Sequence, residues 1–179
     1  MLLSGDERSA IERAADTLAA GELVAFPTET VYGLGARADS DAAVAGIFAL
    51  KGRPSDHPLI VHVADPSDAP AFASRWPDVA RRLTDSLWPG PLTVIVPRAA
   101  RVATAAAGGH DTIGLRCPSH PVARSLLAAA RARGVPGVAA PSANRFGRIS
   151  PTRASHVVEE FGDGLLVIAT PMAGLEGLL

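Results

Sequence analysis

The chain reads as an α/β domain built on a mixed, twisted sheet. Three observations lead there. Segments with apolar residues at helical spacing alternate with short apolar runs of strand length. Pro and Gly fall between those segments, where turns need them. No repeat, charge block or linker interrupts the 179 residues, so a single domain is the expectation.

The elements follow in order. Ser4 with Glu7 forms a capping box ahead of a helix whose Ile11, Ala14, Ala15 and Leu18 share one face, and Gly21 closes it. Glu22 to Phe26 is a short strand. Ser40 caps a second helix, in which Val44, Ile47 and Phe48 recur at helical spacing. Leu59 to Val63 is a strand with few polar breaks. Pro77 to Leu87 is helical, Leu92 to Pro97 a strand, and Ile113 to Arg116 a further short strand. His120 to Arg133 is a long, Ala-rich helix. Val138 to Ala140 is a buried strand that runs into Pro141-Ser142-Ala143-Asn144. Thr152 caps a helix through Glu160, and Leu165 to Ala169 is the last strand.

Composition narrows the class of function. The hydrophobic fraction is 47% and only 4% of residues are aromatic, which predicts a tight aliphatic core. A formal charge of -1 argues against a protein whose main task is coating nucleic acid, while leaving room for a local basic cleft. Cys117 is the sole cysteine, so no internal disulfide forms and a reducing compartment fits. No apolar run approaches the roughly 20 residues of a membrane span. The polar, acidic start MLLSGDERSA is unlike a signal peptide. A soluble cytoplasmic protein is expected.

Several residue groups could carry chemistry. Lys51 ends a helix, Gly52 permits a backbone turn, and Pro54 stops the helix, so Lys51 and Arg53 leave one corner. They read either as helix-end cations in solvent or as a paired grip on phosphate or carboxylate. Thr28, Glu29, Thr30 and Tyr32 form a hydroxyl-rich turn that could equally recognise an amino acid, with Gly33 and Gly35 letting backbone approach a ligand. Ser142 and Asn144 follow an apolar strand, where α/β sheets place ligands, and read as a turn or as nucleotide contacts. Arg145, Arg148 and Arg153 read as a solvated loop or as a rim that meets phosphate. Arg116 closes a strand before Pro118, so it is paired or faces a cavity. His62 on its apolar strand is by default a satisfied core histidine. Cys117 has no base near it in sequence, and the five histidines lack metal-ligand spacing. Trp88 in the LWPGP turn reads as packing.

Taken together, FPTETVYGLGA, KGRPSDHPLIVHV, SLWPGPLTVIV, TIGLRCPSHP, APSAN and SPT resemble the YrdC-like family, the threonylcarbamoyl-AMP synthases of TsaC type. The six segments occur in order from Phe26 to about Gly164. The resemblance implies a twisted α/β sheet with flanking helices around one deep, basic cavity. It implies a reaction in which L-threonine, bicarbonate and ATP give threonylcarbamoyl-AMP and pyrophosphate. Separate threonylcarbamoyl-transfer proteins then modify an adenosine of tRNA. By similarity, Lys51 and Arg53 are catalytic and contact phosphate and carbamate oxygens. Thr28, Thr30, Tyr32, His62, Thr112 and Arg116 surround threonine, and Ser142, Asn144 and Ser150 hold the nucleotide. Mg²⁺ comes with ATP.

The chain departs from the family where members often read Ser-Gly after the Asn. Here Arg145-Phe146-Gly147 makes the rim bulkier and more basic. It also ends at AGLEGLL, where members continue Gly-x-Glu-Ser-Thr, a strand and an Arg-containing turn. Gly177 stands where that Ser falls. The expectation is a YrdC-like domain over 1–179 that lacks the family's last segment. Two other functions compete: a non-catalytic module for tRNA or double-stranded RNA, and a carbamoyl-transfer domain like that of hydrogenase-maturation proteins.

Overall fold

Strands and helices alternate along the chain in the computed structural model, which describes residues 1–170. AGLEGLL and Gly177 lie outside the described residues. The elements are β1 (Leu2–Ser4), α1 (Arg8–Ala19), β2 (Val24–Phe26), β3 (Gly33–Arg37), α2 (Asp41–Lys51) and β4 (Ile60–His62). A 3-10 helix over Pro66–Phe72 follows, then α3 (Asp78–Leu87), β5 (Val94–Pro97), β6 (Thr112–Arg116), α4 (Pro121–Arg131), β7 (Val138–Ala139), α5 (Ala154–Phe161) and β8 (Leu166–Ala169).

The strands form one sheet in the order β1-β8-β2-β3-β7-β4-β6-β5. The pairs β1/β8, β2/β8 and β4/β6 are parallel, and the others antiparallel. Helices pack on both faces of the sheet centre, which is why β2 and β7 are buried throughout rather than alternating. Val24, Phe26, Val138 and Ile168 pack with Ala14, Leu18, Leu126 and Leu127 of α1 and α4. Ala25, Leu34, Val61 and Ala139 point the other way, toward Val44 and Ile47 of α2 and Val157 of α5. Leu18 is fully buried, and burial of one such side chain contributes about 2 kcal/mol.

Some expected local signals act as read. Ser40 accepts a hydrogen bond from the Ala43 amide at 3.3 Å and caps α2. Gly21, at φ 85°, ends α1 with amide bonds from Gly21 to Leu18 O and from Glu22 to Thr17 O, a Schellman arrangement. Trp88 is buried and donates its indole N–H to Leu92 O at 2.8 Å.

Others do not. The Ser4–Glu7 capping box is absent: Ser4 belongs to β1 and its hydroxyl bonds Asp6, while Glu7 is the cap residue without a side-chain bond. Pairing of Leu2–Ser4 with Val167–Ala169 requires extended backbone there and outweighs the local cap. Thr152 likewise caps nothing, because α5 starts one residue later with Arg153 as its cap. The Gly33–Arg37 strand and the 3-10 helix have no signature in the periodicity. Gly35 is required by packing rather than by a ligand. A Cβ there would stand 2.8 Å from both the Phe26 ring and Val138 Cγ1.

Candidate functional site

The parallel pair β4/β6 aligns His62 with Arg116, so both side chains leave the carboxyl ends of adjacent strands on one face. β7 runs antiparallel to β4, so the chain leaving it as Ala140, Pro141 and Ser142 passes Ile60 at the amino end of β4, with the Ala140 amide on Ile60 O, and walls the cavity from that side. The turn between β2 and β3 closes the third side. A cavity of about 130 Å³ results, lined by Thr28, Thr30, Val31, Gly33, Ile60, His62, Arg116, Ala140, Pro141 and Ser142.

Thr28 builds its own wall. Its hydroxyl donates to Val31 O at 2.7 Å and accepts from the amides of Thr30 and Val31. Arg116 is buried and donates from Nη2 to Glu29 Oε1 at 2.5 Å and to Thr30 Oγ1 at 3.2 Å. Burial pushes the Glu29 carboxyl up. The Arg116 hydrogen bond, two backbone amides and the Arg116 charge outweigh it, so Glu29 stays below the usual carboxylate range. Burial, reinforced by the Arg116 charge, pushes the His62 imidazolium down to about 4, so His62 is neutral at pH 7.

Lys51 lies behind this cavity. Gly52, at φ 63°, ends α2 in the left-handed conformation and directs the chain away. The Lys51 ammonium, 3% exposed, reaches back to donate to Ser142 O at 2.5 Å and to Asn144 O. Burial, with Arg53 adding repulsion, lowers its pKa to about 8. Arg53 donates to Pro58 O at 3.1 Å, and burial lowers its pKa also. Beyond Lys51 a second cavity of about 360 Å³ is lined by Asn144, Arg148, Ser150, His156, Glu159 and Glu160, among others. Asn144 Nδ2 donates to Arg145 O and Arg148 O, both at 2.8 Å, which leaves its Oδ1 free as an acceptor.

The structure therefore gathers Thr28, Thr30, His62, Arg116 and Ser142 around one cavity, and Asn144 and Ser150 around its neighbour, with Lys51 bridging the two. It separates three candidates. Arg53 lines neither cavity and donates instead to Pro58 O. Tyr32 buries its ring, and its hydroxyl accepts from the Thr170 amide at 3.0 Å rather than lining the cavity. Thr112 is exposed at the opposite end of β6 from Arg116, paired with Pro97. Four strand residues at about 3.3 Å each put it some 13 Å away. Arg148 is paired with Glu160, which offsets one charge of the basic rim, and Arg145 lies over the Phe161 ring. Glu160 has no local sequence signal as a partner of either. Cys117 is buried, and burial raises its thiol to about 11.

Buried polar atoms normally have partners. Among the described residues, those without one are Arg53 Nε, His62 Nδ1, Arg116 Nε and Asn144 Oδ1. All four belong to residues singled out from the sequence. A larger cavity of about 600 Å³, walled by Leu23, Leu50, Phe161 and Leu165 with polar groups at its edge, contains none of them.

Fold and site together define an α/β domain with a small polar pocket on the sheet beside the parallel pair β4/β6, and a lysine that bonds the carbonyls of Ser142 and Asn144, one lining each cavity. The sequence model of the Sua5/YciO/YrdC family, described as "Telomere recombination", matches residues 16–173. The chain belongs to this family. It is 46% identical over 151 residues to the threonylcarbamoyl-AMP synthase of Pyrococcus abyssi, covering 84% of this chain and 43% of that protein. To the enzyme of the same name from Bacillus subtilis it is 47% identical over 151 residues, covering 84% and 42%. The chain thus spans less than half the length of these two relatives. The crystal structure of P. abyssi Sua5 complexed with L-threonine superposes with a TM-score of 0.89 at 41% identity, over 95% of this chain and 50% of that one.

Proposed function

We propose that this chain is an L-threonylcarbamoyladenylate synthase, a nucleotidyltransferase that makes threonylcarbamoyl-AMP and pyrophosphate from L-threonine, bicarbonate and ATP. The observation that carries the reading is the set of three unpartnered buried polar atoms on residues lining two neighbouring cavities: His62 Nδ1 and Arg116 Nε at the first, Asn144 Oδ1 at the second. Such atoms cost stability unless something binds them.

The smaller cavity suits a compact zwitterion. At about 130 Å³ it holds roughly four waters, far below the several hundred Å³ of a nucleotide-sized site. Arg116 Nε would donate to the threonine carboxylate, and His62 Nδ1 with the Thr30 hydroxyl would meet its amine and alcohol. The threonine amine and bicarbonate lose water to form a carbamate. A carbamate oxygen then attacks the α-phosphorus of ATP, and the bond to the bridging oxygen breaks to release pyrophosphate. Such chemistry asks the protein for positioning and positive charge. Lys51 bonds the carbonyls of Ser142 and Asn144, one residue from each cavity, and Arg53 is near enough to repel it, so the two cations would meet developing negative charge from that side. Losing one such contact costs about 3–4 kcal/mol of transition-state stabilisation. Asn144 Oδ1 and Ser150 would hold the nucleotide. The described residues contain no cluster of His, Cys, Asp and Glu able to hold a metal alone, so Mg²⁺ would travel on the triphosphate. The mixed anhydride product hydrolyses readily, so a transfer system acting on tRNA must consume it. No helix among the described residues is long and apolar enough to cross a membrane.

The test is pyrophosphate release by this chain with ATP, Mg²⁺ and bicarbonate, with and without L-threonine. Threonine-dependent release that falls by at least about a hundredfold in Arg53→Ala is expected. Absence of threonine-dependent release would overturn the reading.

A further inference from the structure

Glu29 has no part in the reaction as derived above, yet it is held from several sides. Its Oε1 accepts from Arg116 Nη2 at 2.5 Å, and its Oε2 accepts from the Ser119 amide at 3.3 Å. The side chains of Arg116 and Glu29 are 9% and 19% exposed. Thr30 Oγ1 takes a second Nη2 hydrogen at 3.2 Å. Two acceptors on one nitrogen define the plane of the guanidinium. Of the two nitrogens they leave over, Nε is buried and without a partner.

We propose that Glu29 is a positioning residue that orients Arg116 so that its Nε–H faces the carboxylate of the bound amino acid. The inference rests on the threonine reading above. An arginine stem has several rotatable bonds, and without an anchor its head would sample the cavity or collapse onto Ser142. A carboxylate fixed by a backbone amide of the next strand-end loop supplies that anchor. Glu29 is not a competitor that must leave when ligand arrives: leaving would break the Ser119 contact and strand a half-buried charge.

The experiment is calorimetric titration of the full chain with L-threonine and, separately, with ATP. Glu29→Gln keeps the size and one acceptor but loses the charge. Its threonine Kd should rise about tenfold, while its ATP Kd changes less than about twofold. Glu29→Asp, which retracts the carboxylate by one methylene, should fall between wild type and Glu29→Gln, and it carries the test if Glu29→Gln does not fold. In the Arg116→Lys background, where no plane remains to be set, Glu29→Gln should add less than about twofold. Threonine Kd unchanged in Glu29→Gln, or an equal loss in both backgrounds, would overturn the inference while leaving the threonine reading intact. Failure of the wild-type chain to bind threonine would overturn both.

Discussion

His62 makes acid stability a direct probe of the cavity. Its imidazole is 3% exposed, packs edge-on against Phe26 at 6.3 Å between ring centroids, and leaves Nδ1 without a partner. Burial first, and the Arg116 charge second, lower its pKa from 6.5 to about 4. In the unfolded chain the imidazole takes a proton near pH 6.5. Between pH 6.5 and about 4 the unfolded state therefore binds more protons than the folded one, and stability falls as pH falls through that window. At 1.36 kcal/mol per pH unit the loss totals about 3 kcal/mol, a large share of a typical 5–15 kcal/mol domain stability. The assay is urea unfolding at pH 7, 6, 5 and 4, followed by the fluorescence of Trp88, which is buried beside Trp76. Other groups also titrate, so the comparison is with His62→Gln. That variant lacks the ionisation and carries a fixed offset at every pH. Wild type should lose about 3 kcal/mol more than His62→Gln between pH 7 and 4. Parallel pH profiles for the two proteins would refute a buried neutral His62.

Three further outcomes follow from packing and burial. Gly35→Ala places a methyl 2.8 Å from Phe26 and Val138, which should destabilise the domain by about 1–3 kcal/mol and lower Tm accordingly in a thermal melt. Asn144→Asp replaces the amide that donates to Arg145 O and Arg148 O with a carboxylate facing two carbonyls. It should weaken the 144–148 loop, read as faster proteolysis there, and abolish pyrophosphate formation. Cys117, with its thiol raised to about 11 by burial, should resist iodoacetamide at pH 8 in the folded chain and react fully in urea.

Local chemistry made much of the fold legible. The helical spacing of Ile11, Ala14, Ala15 and Leu18, the Ser40 cap and the left-handed Gly52 each act within a few residues, so their effect is written where they stand. The amino-acid sequence also marked Arg53, His62, Arg116 and Asn144, the residues that hold unpartnered buried atoms. Tertiary structure decided what pairing at a distance decides. Leu2–Ser4 became a strand only because β8 lies beside it, and Gly33–Arg37 because β2 and β7 flank it. Strand direction put Arg116 in the cavity and Thr112 at the far end of the same strand. Chain crossing brought Lys51 to the carbonyls of Ser142 and Asn144, and Glu29 to Arg116. Periodicity and caps report dihedral preference and burial, which are local. Partners across a sheet depend on strand order, and that order is settled only when both faces are covered at once.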